Sequence, residues 1–342
     1  MNLFIVWTRY QSRSENLTLD LSQKLKKTKI VYRDNKPSSP LKKIFLYIKY
    51  VIQDFSLLLK ENPEFVVLQA PPTYIALAPL IYKFFINKKL IIIMDMHNAM
   101  FRSKWLNTFG TKKIIQNINL GIVHNDVVFE NINAQNLYNN VIEDKFITLE
   151  DKTVKLEVSY KKSIKEVDQR KMVFFPASFN DDEPINEVIN VALDNPKVDF
   201  VLTGNVQKLK KNHNIQLEDI PVNMIITGWI TNEEYNQYLV NCDILLGLTI
   251  HDDIQMSVSN EGLGANKAML LSNTKTLKMI YKDCAIYVNN NTESISEGLI
   301  KAINLKEQLE QNSQKVFLNK QERYLGQINN LINKINKIRG II

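Results

Sequence analysis

Residues 243–274 read DILLGLTIHDDIQMSVSNEGLGANKAMLLSNT. The stretch begins with the apolar run DILLGL and ends with a second one, AMLLS, and a polar loop and a helix start lie between them. Both runs are apolar throughout rather than alternating, which is typical of strands that are covered on both faces and belong to parallel sheets. A strand, a helix and a second parallel strand make the repeating unit of a doubly wound α/β domain.

The same alternation of apolar runs and helical stretches continues through most of the chain. It predicts an α/β fold with two Rossmann-like, doubly wound domains. The further runs of strand length are LFIVW (3–7), FVVLQ (65–69), LIIIM (90–94), DVVFE (126–130), MVFFPA (172–177), VDFVLT (198–203), MIITG (224–228) and AIYV (285–288).

A charged stretch with few strand-forming residues, 150–171, separates the two series of runs. We therefore place an N-terminal domain at 1–160 and a C-terminal domain at 161–315. Residues 316–342 are rich in Lys, Gln and Asn with spaced Leu and Ile, which is typical of an exposed helix. We expect them to form a helical segment that can pack back on the N-terminal domain.

Composition and cysteine use limit the class of protein. Of the 342 residues, 45% are apolar and 23% are charged, values that are ordinary for a folded globular protein. No run of about 20 apolar residues, the length that spans a bilayer, is present, and the start MNLFIVW lacks the basic region of a signal peptide. Cys242 and Cys284 have neither metal-ligand nor CxxC spacing, which fits a reducing compartment. We expect a cytoplasmic protein.

The basic charge is concentrated in the first half of the chain. Residues 1–165 carry a net charge of +11, so the remainder carries −4 of the overall +7. Such an asymmetry indicates an anionic partner for the first half. No zinc-finger, recognition-helix or aromatic RNA-binding pattern accompanies the charge, so we expect no nucleic acid. An anionic membrane surface and a phosphorylated substrate fit equally well.

The loop after DILLGL carries candidate binding residues. Ser257, Ser259 and Asn260 are good helix N-caps, and Glu261 then falls in the first helical turn. Free N–H groups at a helix start bind a diphosphate, and a carboxylate one turn further in can accept hydrogen bonds from the two vicinal hydroxyls of a ribose. Gly262 and Gly264 would let such a ligand approach closely. The alternatives are that Glu261 only complements the helix dipole and that Asp253 belongs to a solvated turn.

Segments from both halves together resemble one enzyme class. Asp253 and Glu261 stand eight residues apart before a helix and the strand AMLLS, an arrangement similar to the donor-site element of GT-B glycosyltransferases. The sequence resembles bacterial family-4-type glycosyltransferases, with a further likeness to chitobiosyldiphosphodolichol β-mannosyltransferase in the QAPP and DMHN segments. This resemblance implies a GT-B fold, in which the two domains face each other across a cleft. The other matching segments, in order, are 7–25, 66–82, 92–101, 176–189, 201–205 and 226–249.

The resemblance also implies roles for individual residues. Glu261 would bind the nucleotide ribose, and Asp253 would lie near the donor sugar. The Arg/Lys pair that many of these enzymes use on the donor diphosphate is missing from the loop ASFNDDEP, 177–184. Helix-start N–H groups, Ser178 and Lys267 would then bind the phosphates instead. The further residues implied in binding a UDP-sugar or GDP-sugar are Ser178, Thr203, Gly204, Asn205, Gly228, Trp229, Ser257 and Lys267. No metal or other cofactor is required, because helix dipoles and polar groups can stabilise the departing nucleotide.

Candidate reactive groups also occur in the first half. Arg9 and Arg13 stand at the start of the first helix, where guanidinium groups suit phosphate or acceptor oxygens; the alternative is two exposed arginines without a role. Asp95 and His97 follow a fully apolar strand, and either side chain could take the proton of an acceptor hydroxyl. The alternative for this pair is a structural turn, and we expect His124 to be structural.

Residues 41–59 place eight apolar side chains on one face of a helix. We interpret this stripe as core that packs on the sheet. The alternative is contact with anionic lipid, since Lys42, Lys43 and Lys49 stand around the stripe and LIYKFFINKK follows at 80–89.

These observations favour a glycosyltransferase that moves a sugar from a nucleotide-diphosphate sugar to a glycan acceptor, carried on a lipid, in surface polysaccharide biosynthesis. It would work in the cytoplasm, peripherally on the inner face of the cell membrane. The alternatives are a GT-B sugar-nucleotide 2-epimerase and a non-catalytic subunit that binds a glycan or a partner transferase. The sugar, the nucleotide base and the anomeric outcome stay open, because family-4 enzymes retain configuration whereas the β-mannosyltransferase inverts it.

Overall fold

The protein is represented by a computed structural model that describes residues 1–33, 39–101, 103–134, 145–156 and 170–341. It consists of two compact units. One comprises Met1–Lys152 together with Arg323–Ile342, and the other comprises Thr153–Glu322. The domain boundary expected at 160/161 lies outside the described residues.

The first unit is built on a parallel sheet of six strands. The strands are β1 (Asn2–Val6), β2 (Thr28–Tyr32), β3 (Phe65–Ala70), β4 (Ile91–Met96), β5 (Leu120–Val123) and β6 (Phe146–Thr148). They lie in the order β2-β1-β3-β4-β5-β6. The helices are α1 (Ser12–Lys24), α2 (Pro40–Glu61), α3 (Leu77–Phe85), α4 (Ser103–Leu106), α5 (Thr111–Asn117) and α6 (Asp126–Ala134), with 3-10 turns at Thr73–Ala76 and Asn98–Phe101.

The second unit repeats this plan. Its strands are β7 (Lys171–Pro176), β8 (Val198–Thr203), β9 (Met224–Gly228), β10 (Ile244–Gly247), β11 (Ala268–Ser272) and β12 (Ala285–Val288), in the order β12-β11-β10-β7-β8-β9. Its helices are α7 (Ile185–Asp194), α8 (Val206–Lys208), α9 (Asn232–Asn241), α10 (Ser257–Gly264), α11 (Lys275–Tyr281), α12 (Thr292–Asn304) and the first part of α13 (Lys306–Ile338). The prediction of two doubly wound parallel sheets is confirmed.

Both faces of each sheet are covered, which explains why the strands are apolar throughout. In β1, Leu3 and Ile5 contribute to one core cluster and Phe4 and Val6 to another, because successive side chains of a strand point to opposite faces. The second sheet separates its side chains in the same way.

The last part of α13, from Arg323 onwards, belongs to the first unit. Its side chains Tyr324, Ile328, Leu331 and Ile335 are buried in the same core cluster as Phe4 and Val6. Polar contacts reinforce this packing. The Tyr324 hydroxyl donates to an Asp20 carboxylate oxygen at 2.7 Å, and the Arg323 Nε pairs with a Glu150 oxygen at 2.8 Å.

One expected strand is a helix. DVVFE forms the start of α6, and the strand of this region is the shorter run β5 that precedes it. Asn125 explains the difference, because its side-chain oxygen accepts a hydrogen bond from the Val128 N–H at 2.9 Å. A side-chain acceptor at this position is a helix N-cap, which starts a helix at the following residue.

The stripe on α2 is a second correction, since most of it is exposed rather than core. Tyr50, Asp54 and Leu58 form the buried face of this helix. The Trp7 Nε1 donates to Asp54 at 2.7 Å and the Trp7 ring packs on Tyr50. These contacts orient the helix so that Asp54 faces the core and much of the apolar stripe faces solvent. Within the described part of the chain, no helix is long and apolar enough to cross a bilayer.

Candidate functional site

The carboxyl ends of neighbouring strands bring several predicted binding residues together in the second unit. Thr203, at the end of β8, pairs with Pro176 of β7 on one side and with Gly228 of β9 on the other. The Gly204 N–H donates to the Gly228 carbonyl oxygen at 3.1 Å. Ligands of open parallel sheets bind at this edge. The structure thus collects Thr203, Gly204 and Gly228 where a nucleotide would be expected.

Backbone conformation explains the two glycines at this edge. Gly204 has φ +147°, and a Cβ added there would lie 2.3 Å from the Ala177 carbonyl oxygen. Gly228 has φ +72°, in the left-handed region that side chains disfavour. Asn205 accepts a hydrogen bond from the Gln207 N–H and caps α8. Trp229 follows directly, with 81% of its surface exposed, so an indole face is available beside the glycine backbone.

The loop after β7 is closed by its own carboxylate. The backbone N–H groups of Ser178 and Asn180 both donate to Glu183, at 2.9 Å. Burial raises the pKa of Glu183, and the N–H donors only partly offset this. The Ser178 N–H is therefore already bound to Glu183. The loop has fewer free N–H donors for a diphosphate than the sequence predicted. The Ser178 side chain lies at the surface.

The start of α10 lacks a side-chain cap. The helix begins at Ser257, and the preceding Met256 has φ +59° and makes no capping hydrogen bond. Close by in the chain, the buried side chains of Gln255 and Ser259 have no hydrogen-bond partner among the described residues. Uncapped N–H groups at a helix start favour an anion. This end of α10 is the best candidate in the unit for a diphosphate.

The two aspartates before α10 differ in their surroundings. Asp252 accepts a hydrogen bond from the Lys275 N–H at 2.6 Å, where α11 begins. It therefore orders the connection between two helices. Asp253, which the resemblance assigns to the donor sugar, is partly buried in the same loop.

Glu261 lies one turn inside α10 and has a partner that the sequence did not reveal. The Tyr235 hydroxyl, on α9, donates to the Glu261 Oε2. The Tyr235 ring packs edge-on against Phe174 of β7, with 5.5 Å between ring centroids. Desolvation raises the pKa of Glu261, and the hydrogen bond from Tyr235 opposes the rise. Tyr235 thus positions the Glu261 carboxylate through Oε2, and Oε1 can accept a hydrogen bond from a ligand.

The glycines of α10 serve packing rather than ligand approach, which corrects their expected role. A Cβ on Gly262 would lie 2.4 Å from the Leu245 side chain of β10, and one on Gly264 would lie 2.1 Å from the Val154 carbonyl oxygen. Small residues at these positions allow the helix to lie close to its neighbours.

We expect Gly262→Ala to be about 1–3 kcal/mol less stable than Gly326→Ala, because both variants gain the helix preference of Ala and only the first overpacks a filled core. Gly326→Ala is the matched control, because Gly326 lies within α13 and a Cβ there meets nothing within 4 Å. That variant should be neutral or more stable by up to about 1 kcal/mol, since Ala favours helix. Urea denaturation of both variants measures the difference, and equal stability of the two would contradict the packing argument.

Lys267 is not brought to this site. It precedes β11 and therefore lies at the amino end of the strand, whereas Gly204 and Gly228 lie at carboxyl ends. Its Nζ donates to the Val240 carbonyl oxygen at 3.0 Å and lies 3.9 Å from a Glu310 oxygen. The side chain is buried there. Lys267 therefore pairs with Glu310 at the amino ends of the strands and is not placed to bind phosphate.

In the first unit, Arg13 is bound by protein groups and is not available to phosphate. Its guanidinium donates to Asp95 through Nε and Nη2, at 3.0 and 2.9 Å, to Asp151 at 2.7 Å and to the Leu149 carbonyl oxygen at 2.9 Å. The contact with phosphate or acceptor that the sequence suggested is thus replaced by an internal ion pair. Arg9 is exposed in the loop between β1 and α1.

Asp95 is a poor candidate for the general base, which corrects one of its expected roles. Its side chain is 0% exposed. Burial alone would raise the pKa of this carboxyl, but the charge of Arg13 and the contact with His124 outweigh burial and hold the pKa far below its usual range. A carboxylate of such low basicity cannot take a hydroxyl proton effectively at neutral pH. Asp95 instead orients Arg13 and His124.

His97 and His124 stand together beside this ion pair. Their rings contact edge to face with centroids 4.4 Å apart, and the His124 Nε2 lies 3.3 Å from an Asp95 oxygen. Burial and the neighbouring His124 lower the pKa of His97 to about 3. Its Nε2 lies 3.1 Å from the Gln69 side-chain amide, and the orientation of that amide decides which nitrogen of the neutral ring can accept a proton.

His124 belongs to this cluster although the sequence favoured a structural role for it. It follows β5, whose neighbour β4 carries Asp95 at its end. A polar residue directly after an apolar strand was the signal that could have found it. Asp151 and Gln69 give no such signal, because only the tertiary fold brings them to Arg13 and His97.

The same cluster is where a cation could be held. Asp95, His97 and His124 each offer a ligand atom, and these atoms lie within 4.8 Å of one another. The Arg13 guanidinium already donates to both Asp95 oxygens, so a metal would share that carboxylate with a positive charge. This arrangement favours the ion pair over a metal centre.

Comparison with solved structures shows that the chain has the GT-B fold. Sucrose-phosphate synthase from Thermosynechococcus elongatus superposes with a TM-score of 0.77 over 98% of this chain and 99% of that chain, at 10% identity. HepE from Anabaena, in complex with UDP and glucose, gives a TM-score of 0.68 over the whole of both chains, also at 10% identity. No family model and no curated protein sequence matches the chain.

Sugar-nucleotide epimerases share the same architecture. UDP-GlcNAc 2-epimerase from Methanocaldococcus jannaschii superposes with a TM-score of 0.59 over 89% of this chain and 93% of that chain, at 14% identity. At such identities the likeness establishes the fold alone, and the reaction has to be argued from the residues.

Proposed function

We propose that the chain is a glycosyltransferase that uses a nucleotide-diphosphate sugar, of the UDP or GDP type, as donor. One observation carries the proposal: Glu261, held by Tyr235, lies one turn beyond the uncapped start of α10. A helix start that favours a diphosphate and a carboxylate that can accept ribose hydroxyls are thereby combined on one short helix. The solved structure of HepE with UDP and glucose, which shares the fold, supports the choice of ligand.

Other residues of the second unit fit the remaining parts of such a donor. The exposed indole of Trp229, next to the Gly228 backbone, suits a nucleobase, since aromatic faces stack on bases. Uncapped N–H groups at Ser257 would stabilise the charge that develops on the departing nucleotide, which requires no metal. Asp253 lies in the loop that leads into this helix and is our candidate for the donor sugar.

For the acceptor we propose a glycan carried on a lipid, with the protein acting at the cytoplasmic face of a membrane in surface polysaccharide synthesis. His97 is the candidate for the group that contacts the acceptor hydroxyl, because its side chain is partly exposed whereas Asp95 is fully buried. Its neutral ring can accept a hydrogen bond from that hydroxyl. Asp95 and Arg13 would position the neighbouring ring of His124.

The second candidate is a sugar-nucleotide 2-epimerase. The superposition with the Methanocaldococcus jannaschii epimerase favours it. Such an enzyme would bind the sugar nucleotide with the same residues of the second unit and would need no acceptor. Incubation with UDP-GlcNAc and analysis of the recovered sugar nucleotide separate the two. An epimerised product without an acceptor supports the epimerase, whereas release of the nucleotide that depends on an added glycan supports the transferase.

The donor hypothesis is tested by a thermal-shift panel of nucleotide diphosphates and their sugar conjugates. A ligand present at about 100 times its Kd adds about 2.7 kcal/mol to the free energy of unfolding. We expect UDP or GDP, with its sugar conjugates, to raise the Tm. Nucleoside monophosphates should raise it less, because the helix start binds a diphosphate. A panel in which no nucleotide changes the Tm would overturn the proposal.

A further inference from the structure

The exposed face of α2 carries a continuous apolar stripe, which we call the α2 stripe. At about 100° per residue, its members fall within an arc of about 100° that runs the length of the helix, away from the buried Tyr50 and Leu58. Phe45 is 71% exposed, and the others are comparably open to solvent. The members are Leu41, Ile44, Phe45, Ile48, Ile52 and Leu59.

The neighbouring helix α3 widens this surface. Phe55 of α2 packs against Tyr82 of α3, with ring centroids 6.2 Å apart, so the two helices lie side by side. α3 and the residue after it expose Ile81, Phe84, Phe85 and Ile86. Phe85 is 73% exposed. Monomeric globular proteins rarely expose several large apolar side chains together unless the surface binds a partner.

Positive charge borders the stripe. Lys42, Lys49 and Lys60 fall about 80–100° around the helix from Leu41 and form a row along one edge. Residues 40–61 and 77–89 contain seven lysines but only two acidic residues, Asp54 and Glu61. Asp54 is buried and bound to Arg33 and Trp7, so it does not offset the charge of the surface. An apolar stripe with a basic edge is the pattern of a helix that lies in a bilayer interface.

We propose that the α2 stripe, together with the exposed end of α3, docks on the surface of an anionic lipid bilayer. Apolar side chains would enter the boundary between headgroups and acyl chains, and the row of lysines would contact the headgroups. Charge decides between this occupant and a second copy of the chain. A symmetric dimer through this face would bring two sets of lysines together, whereas anionic headgroups neutralise them. The inference adds a docking surface to the proposed lipid-linked acceptor but rests on separate observations.

The test is co-sedimentation of the full chain with vesicles. We expect binding to phosphatidylcholine vesicles that contain phosphatidylglycerol, and little binding to phosphatidylcholine alone. Phe45→Glu combined with Ile48→Glu should weaken binding at least about a hundredfold, because two large apolar side chains no longer enter the bilayer. The matched control is Leu193→Glu combined with Leu217→Glu, two exposed leucines of the second unit, which should bind like wild type.

The charge contribution is tested by the triple change Lys42→Gln, Lys49→Gln and Lys60→Gln. Each lysine near an anionic surface strengthens binding about fivefold, so the triple variant should bind about a hundredfold more weakly. Its binding should also depend less on salt, because fewer charges are screened. All the altered side chains are exposed, and circular dichroism with the nucleotide thermal shift checks that each variant is folded and keeps its donor site.

Three results would overturn the inference. One is wild-type protein that fails to bind anionic vesicles at low salt, and another is a Phe45→Glu, Ile48→Glu variant that binds them like wild type. The third is a wild-type dimer that this variant dissociates, without vesicle binding, which would assign the stripe to a second copy of the chain. None of these results bears on nucleotide binding, so failure here is distinguishable from failure of the proposed transfer reaction.

Discussion

Arg13→Met is expected to destabilise the protein by about 3–5 kcal/mol at neutral pH, the usual cost of removing one partner of a buried ion pair. Arg13 donates to Asp95 and Asp151, and Asp95 is fully buried. The loss arises because the variant leaves the Asp95 carboxylate without its principal counter-charge. Lys27→Met, at an exposed lysine of the same unit, is the control and should change stability by no more than about 0.5 kcal/mol.

The destabilisation by Arg13→Met should depend on pH in a defined direction. In the wild type the pKa of Asp95 is depressed, so its stabilising contribution is complete at neutral pH and is lost only as the pH falls below the unfolded-state value of about 3.9. Without Arg13, burial raises the pKa of Asp95, so the variant becomes more stable as the pH falls. In urea denaturation, the difference in the free energy of unfolding between wild type and Arg13→Met should therefore be smaller at about pH 5 than at about pH 8. A difference that stays constant would mean that the lost ion pair does not cause the destabilisation.

Glu261→Gln should weaken nucleotide-diphosphate binding by about 1.5–3 kcal/mol, or about 10–150-fold, because a hydrogen bond to a charged acceptor is lost. The fold should be retained, since the glutamate lies near a helix start and contributes only a modest dipole term. Isothermal titration with UDP and GDP measures the change. Glu233→Gln, an exposed carboxylate at the start of α9, is the matched control and should bind like wild type.

Two further measurements connect this effect to the ribose. A 2′-deoxy or 3′-deoxy nucleotide should bind the wild type more weakly and lose little more in Glu261→Gln, because both changes remove the same hydrogen bond. Because the pKa of Glu261 is raised above its ordinary value of 4.5, wild-type affinity should begin to fall in mildly acidic buffer while the variant shows no such fall. If Glu261→Gln binds nucleotide diphosphates like wild type, the glutamate is only a helix-start residue.

The sequence predicted every strand of the second sheet but only β1, β3 and β4 of the first. Strands β7 to β12 were all expected, because a strand covered on both faces must be apolar throughout. Strand β2 was missed because TKIVY lies at a sheet edge and is partly polar. The apolar run DVVFE was assigned to a strand, since the cap at Asn125 that makes it a helix carries no periodicity signal.

The candidate site was predictable only where residues are close in the chain. The position of Glu261 one turn into α10 followed from local spacing. In contrast, the ion pair between Arg13 and Asp95 joins residues 82 positions apart, and the contact between Tyr235 and Glu261 joins two helices. Such pairs depend on how the sheet and helices pack, so one sequence could not reveal that Arg13 is internally bound or that Lys267 lies at the opposite edge.

The composition of the first unit has a consequence for how the protein is made. Its core requires Tyr324, Ile328, Leu331 and Ile335, yet Thr153–Glu322 must be synthesised before these residues appear. At about 5–20 residues per second, the ribosome needs roughly 10–30 seconds for that interval. During this time the face of the sheet around Phe4 and Val6 has no covering helix from the end of the chain. The first unit therefore acquires the last part of its core only after the whole of the second unit has been synthesised.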